Sequence, residues 1–162
     1  MQQIAQDILE IQHGAILHAV SVSGKMDGGF SRQLGEKHPL VRQAYNSFFE
    51  EYQGDPIDLL GGILEVPLLD KLWVVNLFCI SERGSGQNIV EYSALKTCLQ
   101  NVNEVFAHPS TEGGGIYVPY KMGAGGNSAD WSVTSRLIHK FLPDAVVCIL
   151  PQKSVEQSKK KA

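Results

Sequence analysis

At 162 residues the chain is long enough to bury one substantial core and short for two, so a single domain is expected. Apolar residues at 43% and charged residues at 19% are an ordinary globular balance, and a formal net charge of -3 excludes a general nucleic-acid binder, leaving room only for a local basic patch. No apolar run reaches the roughly 18 residues of a membrane span, and no basic segment followed by an apolar stretch opens the chain, so a cytoplasmic location without membrane association is expected.

From the N-terminus, Ile4 to Leu9 has the apolar-polar mix of an edge strand, with Asp7 where such residues commonly cap a turn. Ala15 to Val20 is an apolar run broken only by His18, the pattern of a strand covered on both faces in a parallel sheet. His18 then sits in the core or at a pocket floor. The strand runs into a loop holding Gly24, Gly28 and Gly29, and a helix follows. Those glycines permit positive φ and close approach to a ligand, and the helix presents unpaired N–H groups and the positive end of its dipole, which is how phosphate sites form. An ordinary strand-to-helix connection has the same outline, and Asp27 suits the cap of a helix starting near Gly28.

Two helices follow, Phe30 to Lys37 and Pro39 to Tyr52, broken at His38-Pro39, with Val41, Tyr45, Phe48, Phe49 and Tyr52 forming a core stripe. After a turn at Gln53 to Ile57, the apolar runs Leu59 to Leu69 and Leu72 to Ile80, joined by Asp70-Lys71, read as neighbouring strands. The polar loop Ser81 to Gln87 carries Glu82 and Arg83 at a strand's C-terminal end, where function collects in open α/β sheets. Ile89 to Phe106 reads as a helix, His108 to Gly115 as a flexible loop, and Ile116 to Pro119 as a strand. A second glycine loop, Gly123 to Gly126, leads to a helix from about Asp130 to Phe141, with Trp131 a core anchor. Ala145 to Leu150 is the last strand, and 151–162 is a basic tail expected to be disordered, leaving 1–150 as the domain.

Cys79, Cys98 and Cys148 lie in apolar segments without C-x-x-C spacing and are expected to be buried free thiols. The histidines have no metal-binding spacing, so neither a metal nor a cofactor is expected.

Taken in order, Gln6-Asp-Ile-Leu9, His18-Ala-Val20, Met26-x-Gly-Gly29, Leu59-Leu-Gly-Gly62, Val74-Val-Asn-Leu-Phe78, Tyr92-x-Ala-Leu95, Gly123-x-Gly-Gly126 and Asp130-Trp131 resemble the macro domain, whose members bind ADP-ribose and its derivatives. The chain is most similar to the small stand-alone branch that dephosphorylates ADP-ribose 1″-phosphate. The resemblance implies an α/β fold, a three-layer α/β/α arrangement with a central mixed sheet, and a cleft at the strand C-termini. It implies that Asp7 accepts a hydrogen bond from the adenine amine and that Ile8 is also a ligand-binding residue. It places Ser21, Ser23, Gly24, Lys25, Met26, Asp27, Gly28 and Gly29 in one ligand loop, and Met122, Gly123, Ala124, Gly125, Gly126 and Asn127 in the other. His18 becomes the acid-base group, with Glu82 its partner.

Departures from the family pattern limit what carries over. Ser21 and Ser23 stand where many members have asparagines on the distal ribose, and serine lacks the amide's separate donor and acceptor. Asp27 replaces a glycine and adds an anion near the expected pyrophosphate, which Lys25 offsets. Ile80 stands where one de-ADP-ribosylating branch has a lysine. The readings in order are therefore binding of ADP-ribose or a derivative with hydrolysis of ADP-ribose 1″-phosphate, then non-catalytic capture of ADP-ribose-type nucleotides or ADP-ribosylated macromolecules, and last an ADP-ribosyl hydrolase.

Overall fold

The two longest strands among the described residues lie side by side in parallel at the centre of one sheet: β2 (Gly14–Ser21) and β4 (Leu72–Glu82). The computed structural model describes residues 1–26, 28–69, 71–84, 86–106, 114–124 and 129–151. Around this pair run β1 (Gln2–Ala5), β3 (Ile63–Leu69), β5 (Asn88–Val90), β6 (Ile116–Pro119) and β7 (Val146–Ile149). The sheet order is β1-β7-β6-β2-β4-β3, parallel throughout except that β3 and β5 each pair antiparallel with β4.

Strand alternation sorts β2 and β4 onto two faces. Leu17, Val75, Leu77 and Cys79 pack with Ala94, Leu95, Cys98, Leu99 and Val102 of α3 (Tyr92–Phe106) and Ile138 of α4 (Trp131–Phe141). Ile16, Val20, Val74 and Phe78 face the other way, onto Leu34 of α1 (Gly29–Lys37) and Val41 and Tyr45 of α2 (Pro39–Glu51). The result is the expected three-layer α/β/α arrangement around a mixed sheet. By the same alternation His18 and Asn76 fall on the α1 and α2 face, and they are register partners across the β2–β4 ladder.

Several local expectations are corrected. The first strand ends at Ala5, because the Asp7 carboxylate accepts from Leu9 N at 3.0 Å and starts a 3-10 turn at Ile8–Glu10. Ile89 and Val90 are not helical: Asn88–Val90 folds back on Ile80–Glu82 as β5, and the helix begins at Tyr92. β1 lies at an edge of the sheet, as its apolar-polar mix implies, and β7 lies between it and β6. Asp130 caps α4 by accepting from Ser132 N at 2.9 Å, as its position in the first turn implies. All three cysteines are buried and free, and burial pushes the Cys98 thiol up to about 12, so it stays protonated at neutral pH. No helix among the described residues is long and apolar enough to cross a membrane. The expected tail beyond 151, the loop over 107–113 and the turn residue Asp70 lie outside the described residues.

A cleft between two loops as the candidate functional site

The C-terminal ends of the parallel strands β2 and β6 each run into a loop, and the two loops face one another across a cavity of about 400 Å³. Its walls are Ser21, Lys25, Met26, Gly28, Gly29 and Ser31 from the first loop and α1, and Pro119 to Gly123 from the second; His18 lies at its floor and Ile80 and Asn88 at its side. That volume is within the ordinary range for small-molecule sites, about 300–1,000 Å³.

The first loop is built by its own side chains. Ser21 Oγ donates to Ser23 Oγ at 2.8 Å and accepts from Ser23 N at 3.0 Å, and Gly24 takes φ +82. The two serines thus shape the loop, and of the pair Ser21 lines the cavity. Behind it, Tyr45 is fully buried and donates its hydroxyl to Ser21 O at 2.7 Å and Lys25 O at 3.3 Å, while Arg42 donates to Met26 O at 3.0 Å. Tyr45→Phe, which leaves those carbonyls short of a donor, should cost about 1–3 kcal/mol in denaturant unfolding. An unchanged midpoint would mean that the hydroxyl does not hold the loop.

Positive φ was expected at Gly24, Gly28 and Gly29, and it holds only at Gly24. Gly28 has φ -69 and is the N-cap of α1, and Gly29 is its first helical residue. What the latter two provide is space: a Cβ on either would meet no protein atom within 4 Å. Asp27 lies outside the described residues, and the N-cap position belongs to Gly28, which has no side chain to accept a hydrogen bond. The first intrahelical bond runs from Arg32 N to Gly28 O, so the amides of Gly29, Phe30 and Ser31 have no acceptor within the helix. They sit at the positive end of the dipole beside the cavity.

The second loop turns twice. Met122 N donates to Pro119 O and Ala124 N to Lys121 O, with Lys121 at φ 59 and Gly123 at φ +79. Met122 and Gly123 line the cavity and Ala124 does not; Gly125, Gly126 and Asn127 lie outside the described residues. Lys25 and Lys121 are the cationic side chains in the wall.

His18 is fully buried. Its Nδ1 lies 2.8 Å from Asn76 Oδ1 and its Nε2 lies 2.7 Å from Ser31 Oγ, with the Phe30 ring edge-on at 5.7 Å. Because Asn76 Oδ1 only accepts, Nδ1 carries the proton and Nε2 accepts from the serine hydroxyl. Burial lowers the imidazole pKa to about 4, the Asn76 hydrogen bond opposing that shift only in part, so the ring is neutral at pH 7. The expected partner is different: Glu82 pairs at 3.4 Å with Lys25 at the rim, not with His18, and does not line the cavity. Ser31 and Asn76, missed from the sequence, are the groups His18 meets. The one signal for Ser31 was its place in the first turn of the helix behind the glycine loop.

A depressed histidine pKa makes the unfolded chain bind more protons between about pH 6.5 and 4. The stabilisation is therefore complete above 6.5 and is lost as pH falls toward 4. The full difference corresponds to about 3 kcal/mol. Urea unfolding at pH 7.5 and 4.5 should show a larger acid loss for the parent chain than for His18→Gln; equal losses would contradict this.

Asp7 stands at the same C-terminal edge of the sheet, beyond β1, where its charge helps raise the Cys148 thiol. Neither it nor the buried Ile8 is part of the cavity wall. Among the described residues no group of side chains is arranged to hold a metal ion.

The sequence matches no protein-family model and no curated protein. Its fold is similar to solved structures. A Bacteroides thetaiotaomicron protein of unknown function matches 91% of this chain over 96% of its own, at 21% identity and TM-score 0.72. A Streptomyces coelicolor macrodomain protein matches 88% of this chain over 92% of its own, at 21% identity and TM-score 0.67. Thermosipho africanus DarTG, solved in complex with ADP-ribose, matches 96% of this chain over 43% of its own, at 13% identity and TM-score 0.70. At such identities the likeness is one of fold, and the fold is that of macrodomain proteins.

Proposed function

We propose that the chain binds ADP-ribose, or a derivative of it, in the cleft between the two loops. The observation that carries this reading is the open first turn of α1: three amides without an intrahelical acceptor, beside two glycines whose missing side chains leave room for a ligand to approach. A diphosphate matches that turn in charge and shape, with Lys25 and Lys121 as counter-charges. The macro-domain fold and the ADP-ribose held by one structural neighbour support the choice of ligand. In this reading Asp7 and Ile8 serve the adenine end, while 21–29 and 122–127 surround the phosphates and distal ribose. A cytoplasmic location and an ADP-ribosylated macromolecule as partner belong to the same reading.

Turnover divides two versions of it. Hydrolysis of ADP-ribose 1″-phosphate with His18 as acid-base group requires the imidazole to act through Ser31, because both ring nitrogens are already hydrogen-bonded. Capture without turnover is favoured by the placing of Glu82, whose carboxylate pairs with Lys25 and does not line the cavity above His18. Incubating the protein with ADP-ribose, ADP-ribose 1″-phosphate and an ADP-ribosylated peptide, and following retained ligand and released product, tests both. Stoichiometric retention without product supports capture, steady phosphate release supports the phosphatase, and retention of none of them refutes the proposal.

A further inference from the structure

The polar side chains beneath the cleft fix the direction of one proton at its floor. Asn76 Oδ1 can only accept, so His18 carries its proton on Nδ1, 2.8 Å away, and leaves Nε2 as an acceptor. Nε2 lies 2.7 Å from Ser31 Oγ, the distance of a formed hydrogen bond, and the serine therefore donates inward. A hydroxyl has one proton and two lone pairs. With its proton given to His18, Ser31 turns lone pairs toward the cavity it lines and acts there as an acceptor. The fold holds this order in place: His18 and Asn76 are register partners, both are buried, and the Phe30 ring packs edge-on against the imidazole. Burial keeps the imidazole neutral, with a pKa of about 4, so the second proton that would reverse the serine is absent at pH 7.

Around that acceptor the same turn of α1 offers donors. The amides of Gly29, Phe30 and Ser31 have no acceptor within the helix, and Lys25 and Lys121 bring positive charge to the wall. The floor thus sorts the oxygens of a ligand: phosphate oxygens suit the amides, and a hydroxyl with a proton to give suits Ser31. We infer that Ser31 is a specificity-determining residue that takes a free hydroxyl of the distal sugar, so that the cleft selects ADP-ribose with its 1″-hydroxyl bare and discriminates against the 1″-phosphate. This rests on the proposed ADP-ribose reading and chooses between its two versions, because action of His18 through Ser31 would put the 1″-phosphate at that hydroxyl. A phosphate dianion has no proton to donate. To bind there it must turn the serine proton outward and leave Nε2 buried without a donor, which lowers affinity by about five- to 150-fold. His18 and Asn76 are positioning residues, acting on the ligand only through the direction of the serine proton.

Calorimetric titration of the whole folded chain with ADP-ribose and with ADP-ribose 1″-phosphate is expected to show the first bound about five- to 150-fold more tightly. Asn76→Asp should move that ratio toward the phosphate by a similar factor: the carboxylate favours a protonated imidazole, Nε2 then donates to Ser31, and the serine proton turns outward. The Asn76 Nδ2 it replaces has no hydrogen-bond partner among the described residues, so no bond is lost. Ser31→Ala should also narrow the ratio, by weakening ADP-ribose alone. Nitrogen-15 shifts of the intact parent chain, which need neither variant nor ligand, should show His18 protonated on Nδ1 and bare on Nε2. A proton on Nε2, equal or tighter binding of the 1″-phosphate, His18-dependent release of phosphate from it, or a folded Asn76→Asp or Ser31→Ala with the parent's ratio would each overturn the inference and leave ADP-ribose binding standing. Binding of neither ligand would refute both.

Discussion

Gly29→Val is expected to weaken ADP-ribose binding by one to two orders of magnitude while leaving the protein folded. Gly29 is the first residue of α1, in helical rather than left-handed backbone, and a Cβ there meets no protein atom within 4 Å. Valine therefore strains neither the chain nor its neighbours, and replacing a helical glycine lowers the entropy lost on folding. The branched side chain instead enters the cavity beside the first-turn amides, where the phosphates are proposed to lie. Overpacking a closely fitted contact costs typically about 1–3 kcal/mol, roughly a five- to 150-fold loss of affinity. Titration calorimetry with unfolding curves on the same sample separates the two effects. A folded variant with parent affinity would place the phosphates elsewhere.

Phe78→Ala should produce the largest loss of stability, about 3–5 kcal/mol, and should weaken the ligand as a consequence. Phe78 is buried on β4, with the Phe48 and Phe49 rings of α2 at 5.4 and 6.0 Å. The removed ring leaves a cavity beneath α2, and α2 is the element whose Tyr45 holds the first loop at Ser21 and Lys25. Gly24 lies directly against Phe49. A domain of this size has a total stability of roughly 5–15 kcal/mol, so the variant keeps only part of it. Chemical denaturation measures the loss. A cost below about 1 kcal/mol would mean that the α2 layer repacks and does not set the loop.

The architecture was legible where one periodicity ran long enough. His18 in an apolar run identified β2, and the helical stripe through Val41 and Tyr45 identified α2, because burial on both faces or on one leaves a pattern in the residues themselves. Ile89 and Val90 read as the start of the following helix because a three-residue strand carries no alternation, and what makes Asn88–Val90 a strand is pairing with Ile80–Glu82. Asp7 ended β1 early through a side-chain bond to Leu9 N, a local competition with the ladder that apolar patterning does not register. The loops were found from their glycines, yet the reason differed by position: backbone sign at Gly24 and Gly123, open space at Gly28 and Gly29. Of the partners of His18, Asn76 left no signal and Ser31 only its place in the first turn behind the glycine loop. Asn76 reaches it through the register of a parallel pair 58 residues apart, and Ser31 through the docking of α1, both products of tertiary structure.

The central claim, that this cleft holds ADP-ribose, is tested most directly by titrating the isotope-labelled protein with ADP-ribose and following backbone amide shifts. Saturable changes concentrated at Ser21 to Ser31 and at Tyr120 to Gly123, with the first-turn amides of Gly29, Phe30 and Ser31 moving most, are the expected result. No saturable change, or changes confined to residues away from both loops, would contradict it.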